Sequence, residues 1–389
     1  MSKENYRRLG DYIHEVDVRN RDLEVKELVG LTINKAFIPS VANTIGTDLS
    51  NYKVIRKEQF ACSLMQVSRD GKMPVAMFEG ECAIMSPAYP MFEVVDKNRL
   101  LPQYLMMWFS RNEFDREASF YAVGGVRGSL TWQDFCDMTL PVPPIEQQRK
   151  IVAQYEAVSR KIRLNERMIT RLEETAQTLY RKMFVDGIDK ENLPEGWRMG
   201  TLGEITEINT DNISSKDSLK DIKYLDSSSV TQNIFDKYQL FNTLIDEIPS
   251  RAKRKVRYND IIYSTVRPNL RHYGILKDKM NVENVVVSTA FAVIRSCYSH
   301  ISNELLYLML TGEKNTEHLQ GIAEMSKATY PAVTPEDIMS LKVFIPKEST
   351  DLNNTNKILK YCFDFIYLKH QDNMRLQKFQ SLFLSNLGQ

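Results

Sequence analysis

The sequence predicts an α+β fold written twice: two pseudo-repeated globules of short strands and helices, separated by two long helices that pack as an antiparallel coiled coil. Three observations carry this. Short phrases recur half a chain apart in the same order, an apolar heptad runs from Ile151 to Met183, and a weaker one runs from Ile358 to Phe383.

The repeat begins with Leu9-Gly10-Asp11 in "RRLGDYI" and Leu202-Gly203-Glu204 in "GTLGEIT", both in strand-like runs. "YKVIRKEQFACS" (52–63) parallels "RKVRYNDIIYST" (254–265), each a strand, a charged turn and a second strand. "LPQYLMMWFSRNEF" and "SNELLYLMLTGEKN" are amphipathic helix candidates with aromatic and Leu/Met faces. The halves close on "TWQDFCDMTLPVP" and "TPEDIMSLKVFIP", where Asp134 to Pro143 and Asp337 to Pro346 both span nine positions.

Each closing phrase leads into a long helix. Proline is tolerated in a first helical turn, so Pro144, with Glu146 just behind it, marks a start. The seam then steps through Ile151, Tyr155, Val158, Ile162, Asn165, Ile169, Leu172, Ala176, Leu179 and Met183. Asn165 is its one polar interruption. The distal seam reads Ile358, Cys362, Phe365, Lys369, Asp372, Leu376, Phe379 and Phe383, and aligning Ile151 with Ile358 puts Asn165 level with Asp372. A polar residue near mid-seam fixes register at some cost in stability. Phe379 and Phe383 are bulky where Leu172 and Ala176 are smaller, which suits interdigitation. The plain alternative for each seam is an amphipathic helix lying on a domain surface; two matching seams in one chain favour their packing on each other. Antiparallel pairing lets the globules sit at opposite ends. The resulting segments are 1–143, 144–190, 191–346 and 347–389.

Composition narrows the function. The net charge is +1, so any nucleic-acid surface must be local, and residues 251–271 supply one, with seven Arg or Lys against one Asp. The five cysteines contain no C-x-x-C pair, which argues against zinc and disulfides. No apolar run approaches the roughly 20 residues of a membrane span, and the first residues lack a signal-type segment, so a cytoplasmic protein with no membrane partner is expected. The phosphate-cradling G-x-x-x-x-G-K-[ST], the H-E-x-x-H metal motif and the Asn/Asp-Pro-Pro-aromatic tetrad of an adenine methyltransferase are all missing; the one Pro-Pro is Pro143-Pro144. A non-catalytic chain with no cofactor of its own is expected.

A helix of 40 residues spans on the order of 60 Å, and B-DNA repeats every ~34 Å. Two different heads held apart by such a rod suit an asymmetric, split DNA sequence. The repeated globule, the "LPVPPIEQQRKI" junction, the helix ending "LYRKMFVDG" and the re-entry "LPEGWRMGTLGEI" resemble the specificity subunit of type I restriction-modification systems over essentially the whole chain. That resemblance implies target recognition domains at 1–143 and 191–346 and spacer helices at 144–190 and 347–389. It implies as partners double-stranded DNA, two adenine methyltransferase subunits using S-adenosylmethionine, and restriction/translocase subunits using ATP and Mg. The second junction, "FIPKESTDLNNTNKI", departs from the pattern, lacking the Pro-Pro and Glu-Gln of the first. A coiled-coil scaffolding protein and a solitary DNA-binding regulator are the competing readings.

Base reading needs forked side chains, and phosphate contact needs cations. "STVRPNLRHYG" offers Arg267, Asn269 and Arg271 for bases; Arg251, Lys253, Arg254, Lys255 and Arg257 suit phosphates; Lys327 and Tyr330 lie in a loop before the last strand. In the first globule the candidates are Arg69 and Lys72, at a hairpin tip through Asp70-Gly71, Lys35 in "TINKAFIPS", and Arg127 among glycines. For each cluster the plain alternative is a solvated turn.

Overall fold

The computed structural model describes all residues except 1–5, 41–45, 66, 124–127, 187, 189–192, 194, 215–216, 218, 326–330, 348–351 and 389. The chain divides into two compact units, Met1–Arg163 with Met374–Gln389, and Leu164–Asn373. Each holds one globule and part of both long helices.

In the first unit, Tyr6–Arg8 pairs antiparallel with Thr139–Pro141, joining the globule's beginning to its end. A four-stranded sheet runs in the order Ile13–Glu15, Met91–Val94, Phe60–Cys62, Val75–Met77, beside the pairs Lys53–Arg56 with Cys82–Met85 and Val29–Leu31 with Phe37–Pro39. Helices Pro102–Phe109 and Asn112–Ala122 pack on it, and Phe60, Phe92, Phe109, Phe114 and Phe135 form an aromatic core.

The second unit repeats the plan. Trp197–Thr201 pairs with Lys342–Pro346, and the sheet order Thr206–Ile208, Phe291–Ser296, Ile261–Ser264, Tyr273–Ile275 matches the first sheet strand for strand. Helices Asn303–Thr311 and Glu313–Met325 follow. The second globule adds a four-stranded sheet, Gln239–Asn242, Asp221–Leu225, Val285–Ser288, Ala252–Lys255, and a hairpin, Val230–Thr231 with Ile234–Phe235.

The closing phrases are alike because each codes for one device. Thr131 and Asp134 form a capping box on helix Trp132–Asp137, Thr334 and Asp337 form the same box on Pro335–Met339, and each helix delivers the strand that returns to the globule's first one. The Leu-Gly-acidic phrases are not strands: Leu9–Asp11 and Leu202–Glu204 are 3-10 turns following a strand, with each leucine buried.

The central helix, Ile145–Phe184, and the distal helix, Asn353–Ser385, are continuous over 40 and 33 residues. They pair antiparallel, each step forward on one being a step back on the other. In the first unit, Tyr155 packs on Phe383 and Ser159 Oγ accepts from Gln380 Nε2 at 2.6 Å. In the second, Asn165 Nδ2 donates to Asp372 Oδ2 at 2.9 Å and Asn373 Oδ1 at 2.8 Å, and Thr355 meets Met183. Ile162, Asn165, Ile169 and Ala176 are buried, and Ile151, Tyr155, Val158 and Leu172 are half-buried.

The distal seam differs from the expected one at alternate positions. Leu359, Cys362, Ile366, Asn373 and Leu384 are buried, with Leu376, Gln380 and Phe383 half-buried. Phe365 and Phe379 face outward, 50% and 53% exposed. The helix carries two apolar heptads one residue apart, and the buried one includes Asn373 and Gln380, which apolar spacing passes over. Phe379 is thus turned out of the seam, and Phe383 meets Tyr155.

Both globules complete their cores with helix residues: Val152, Leu384 and Leu387 in the first, Ala176, Leu359, Cys362 and Phe363 in the second. In the second unit a buried ion pair adds to this. Lys277 bonds Glu304, and its Nζ lies 3.1 Å from Asp364 of the distal helix. Replacing Asn165 by Leu should lower stability by about 1–3 kcal/mol, because Asn373 loses its donor in a buried seam. Replacing both residues by Leu should recover most of that loss, as chemical denaturation of the wild type, the two single variants (Asn165→Leu and Asn373→Leu) and the double variant would show.

Candidate functional site

The sheets place one loop at the same point in each globule. In the first it joins Phe60–Cys62 to Val75–Met77; in the second it joins Ile261–Ser264 to Tyr273–Ile275. Equivalent hydrogen bonds frame them: Ser63 N–H to Pro74 O and Leu130 N–H to Leu64 O in one, Ser264 N–H to His272 O and Val333 N–H to Thr265 O in the other, all 2.8 or 2.9 Å. Arg69 and Lys72 lie in the first loop, Arg267, Asn269 and Arg271 in the second.

The first loop does join an antiparallel pair, but Asp70-Gly71 is not a tight two-residue turn within it. Val67–Asp70 forms one helical turn, and Gly71 ends it at φ +63, the left-handed region that glycine adopts freely. Arg69 pairs with its neighbour Asp70, Nε to Oδ1 at 2.6 Å, and both Arg69 and Lys72 are exposed. Ser68 Oγ donates to Gly128 O at 3.5 Å. Arg127 lies outside the described residues.

Lys35 has an internal role. Its ammonium bonds Phe109 O, lies 2.8 Å from Asp115 Oδ1 and 5.0 Å from the centre of the Phe114 ring, with the side chain 9% exposed. Burial pulls its pKa down, opposed by Asp115. The same Asp115 oxygen accepts from Met73 N–H at 3.1 Å, so Lys35 braces the loop from behind and is not at its surface.

The second loop is strained and tightly held. Arg267 and Arg271 take φ +49 and +56 on either side of the 3-10 turn Pro268–Leu270. Left-handed non-glycine residues cost of order 1–3 kcal/mol each and persist only where their surroundings impose them. Here Arg267 N–H donates to Pro331 O at 2.9 Å, and Asn269 N–H donates to Gln320 Oε1 at 3.1 Å. Arg271 Nη2 donates to both Glu313 carboxylate oxygens, at 2.8 and 2.6 Å. Arg267 and Asn269 are exposed, while Arg271 is half-buried and neutralised by its partner. Lys327 and Tyr330 lie outside the described residues.

The basic run is spent unevenly. Lys255 pairs with Asp217 at 2.7 Å, whose pKa the lysine hydrogen bond pulls down to about 2, and Arg257 pairs with Asp211 at 2.6 Å. Arg254 is half-buried in its strand, and its Nε has no hydrogen-bond partner among the described residues. Arg251 and Lys253 are exposed.

Sequence reasoning missed the supports: Asp115, Glu313, Gln320, and the turn Gln232-Asn233. Gln232 N–H donates to Arg271 O at 3.2 Å, and both turn residues have positive φ. Two consecutive polar residues between short apolar runs were the only local signal for that turn. Asp115→Ala would strand a buried ammonium and release Met73, and should cost about 3–5 kcal/mol in a thermal or denaturant melt.

Residues 64–174, from the first loop to well inside the central helix, match the Type I restriction modification DNA specificity domain. The specificity subunit of the type I restriction enzyme HindI from Haemophilus influenzae is 30% identical over 193 residues, 49% of this chain. That match spans 40% of the relative's length. The crystal structure of a type I restriction-modification S subunit from M. genitalium shares the fold, with a TM-score of 0.62 at 13% identity over 99% of this chain and 96% of that one. The chain thus matches the type I DNA specificity domain over residues 64–174, is similar in sequence to one specificity subunit of a type I restriction enzyme and shares the fold of another.

Proposed function

We propose that this chain is the non-catalytic DNA specificity subunit of a type I restriction-modification complex, acting in the cytoplasm on a bipartite, asymmetric duplex sequence. Each globule reads one half through its equivalent loop, and the paired helices set the unread gap. Adenine methylation with S-adenosylmethionine and ATP- and Mg-dependent translocation and cleavage belong to partner subunits. The observation that carries the reading is the duplicated loop, framed by the same hydrogen bonds but presenting Arg69 and Lys72 in one globule and Arg267 and Asn269 in the other. One scaffold with two different sets of exposed donors is what two different half-sites require.

Arginine suits guanine and asparagine suits adenine as bidentate partners, which assigns base reading to Arg267 and Asn269. Arg251 and Lys253 serve phosphates. Lys35 and Arg254 leave the contact set because both are drawn into the fold, and Arg271 acts by holding its loop. For methyltransferase docking, the distal helix offers Ile358, Tyr361, Phe365 and Leu368, each at least 44% exposed and spaced by three and four.

Arg267→Ala should weaken binding to the cognate duplex by roughly 1–3 kcal/mol and relax preference at one base pair, measured by titration against single-base variants. Replacing 191–346 by the same region of a relative should change one half of the methylated motif, as long-read methylation mapping would show. A chain without salt-dependent duplex affinity would instead be a scaffold.

A further inference from the structure

Two side-chain amides occupy the same place in the two halves. Gln148 is the fourth residue of the central helix and Asn356 the fourth of the distal helix. Gln148 Oε1 accepts from Leu101 N–H at 2.9 Å, and its Nε2 donates to Arg99 O and Pro143 O, both at 2.8 Å. Asn356 Oδ1 accepts from Ser302 N–H at 3.3 Å, and its Nδ2 donates to His300 O at 2.9 Å. Leu101 and Ser302 are the N-caps of the equivalent helices Pro102–Phe109 and Asn303–Thr311. In each half, then, one amide grips an N-cap N–H and the carbonyl two residues before it.

Apolar packing between a helix and a globule tolerates small rotations, because dispersion has no direction. Hydrogen bonds from one planar amide to two fixed backbone groups do not, since they weaken steeply off axis. Gln148 is fully buried, so water cannot substitute for a lost bond there. The second junction, which lacks the Glu-Gln of the first, still keeps a clamp: Asn356, one helical turn in, stands where Gln148 does and bonds the equivalent N-cap N–H and carbonyl.

We infer that Gln148 and Asn356 are positioning residues for recognition: each fixes the bearing of one globule, and with it that globule's loop, on the helix that follows. The inference rests on the specificity-subunit reading, under which the permitted gap between half-sites depends on these two angles.

The test uses the full chain with spin labels at the exposed positions Arg116 and Lys161, both in the first unit. Gln148→Leu should broaden the distance distribution between the labels. Gln148→Glu, which keeps the acceptor and loses both donors, should do the same and serves if the leucine variant folds poorly. In parallel, duplexes carrying the genome-mapped motif with its natural gap, or a gap one base pair longer or shorter, are titrated. Wild-type preference for the natural gap should fall by about tenfold in the variants, equivalent to about 1.4 kcal/mol. An unchanged distance distribution overturns the inference, as does an equal loss of affinity at all three gaps, the mark of a purely structural residue. Broadened distances in variants of a wild type that shows no gap preference would overturn the specificity reading, leaving the amides a structural use only.

Discussion

A buried amide leaves a helix pair few acceptable registers, and Asn165 is the residue on which the pairing turns. Its Nδ2 reaches Asp372 and Asn373 together, with Asn165 and Asn373 both buried. Sliding either helix by one position would strand these groups in an apolar seam, at a cost of a few kcal/mol. An all-leucine seam would pack more strongly but accept neighbouring registers, which is why one polar layer is worth its loss of stability. Register matters here because helix residues complete the core of each globule, so a slipped helix would be a damaged globule.

The repeat and the central helix were legible because their signals are local. A capping box needs two residues three apart, and the central heptad contains one polar exception. The distal helix was legible as a helix but not in its facing. Two apolar heptads one residue apart compete along it, and apolarity favours the wrong one: Phe365 and Phe379 are larger than anything at the buried polar positions. Hydrogen-bond partners across the pair select Asn373 and Gln380 for the inside, and those partners lie more than 200 residues away in sequence.

The same limit governs the candidate site. The two loops could be found from strand, turn and strand patterns, and Arg69, Lys72, Arg267 and Asn269 do lie exposed in them. What a sequence does not disclose is which cations are already matched. Lys35 reads as a loop lysine until Asp115, in a helix that follows a different strand, claims it. Arg271 is claimed by Glu313, 42 residues on, and Lys255 by Asp217, 38 residues back. The second junction misleads in the opposite sense. It looks degraded beside the first, yet Asn356 makes two of the three backbone contacts that Gln148 makes.

This matching of charge has a consequence for how recognition divides its work. Non-specific affinity for a duplex scales with the phosphates that cations neutralise, and the second globule has committed Lys255, Arg257 and Arg271 to its own carboxylates. Those pairs hold strands and the loop of Arg267–Arg271 in place at the expense of general attraction. The exposed Arg267 and Asn269 stand on a strained backbone held by Pro331 and Gln320, a design that favours discrimination over tightness. A chain of net charge +1 organised in this way would, as a specificity subunit of the proposed kind, identify its sequence well and grip it weakly. On the proposed reading, most phosphate contact then has to come from the partner subunits, which makes tight binding conditional on assembly and keeps a lone specificity subunit from occupying sites that it cannot act upon.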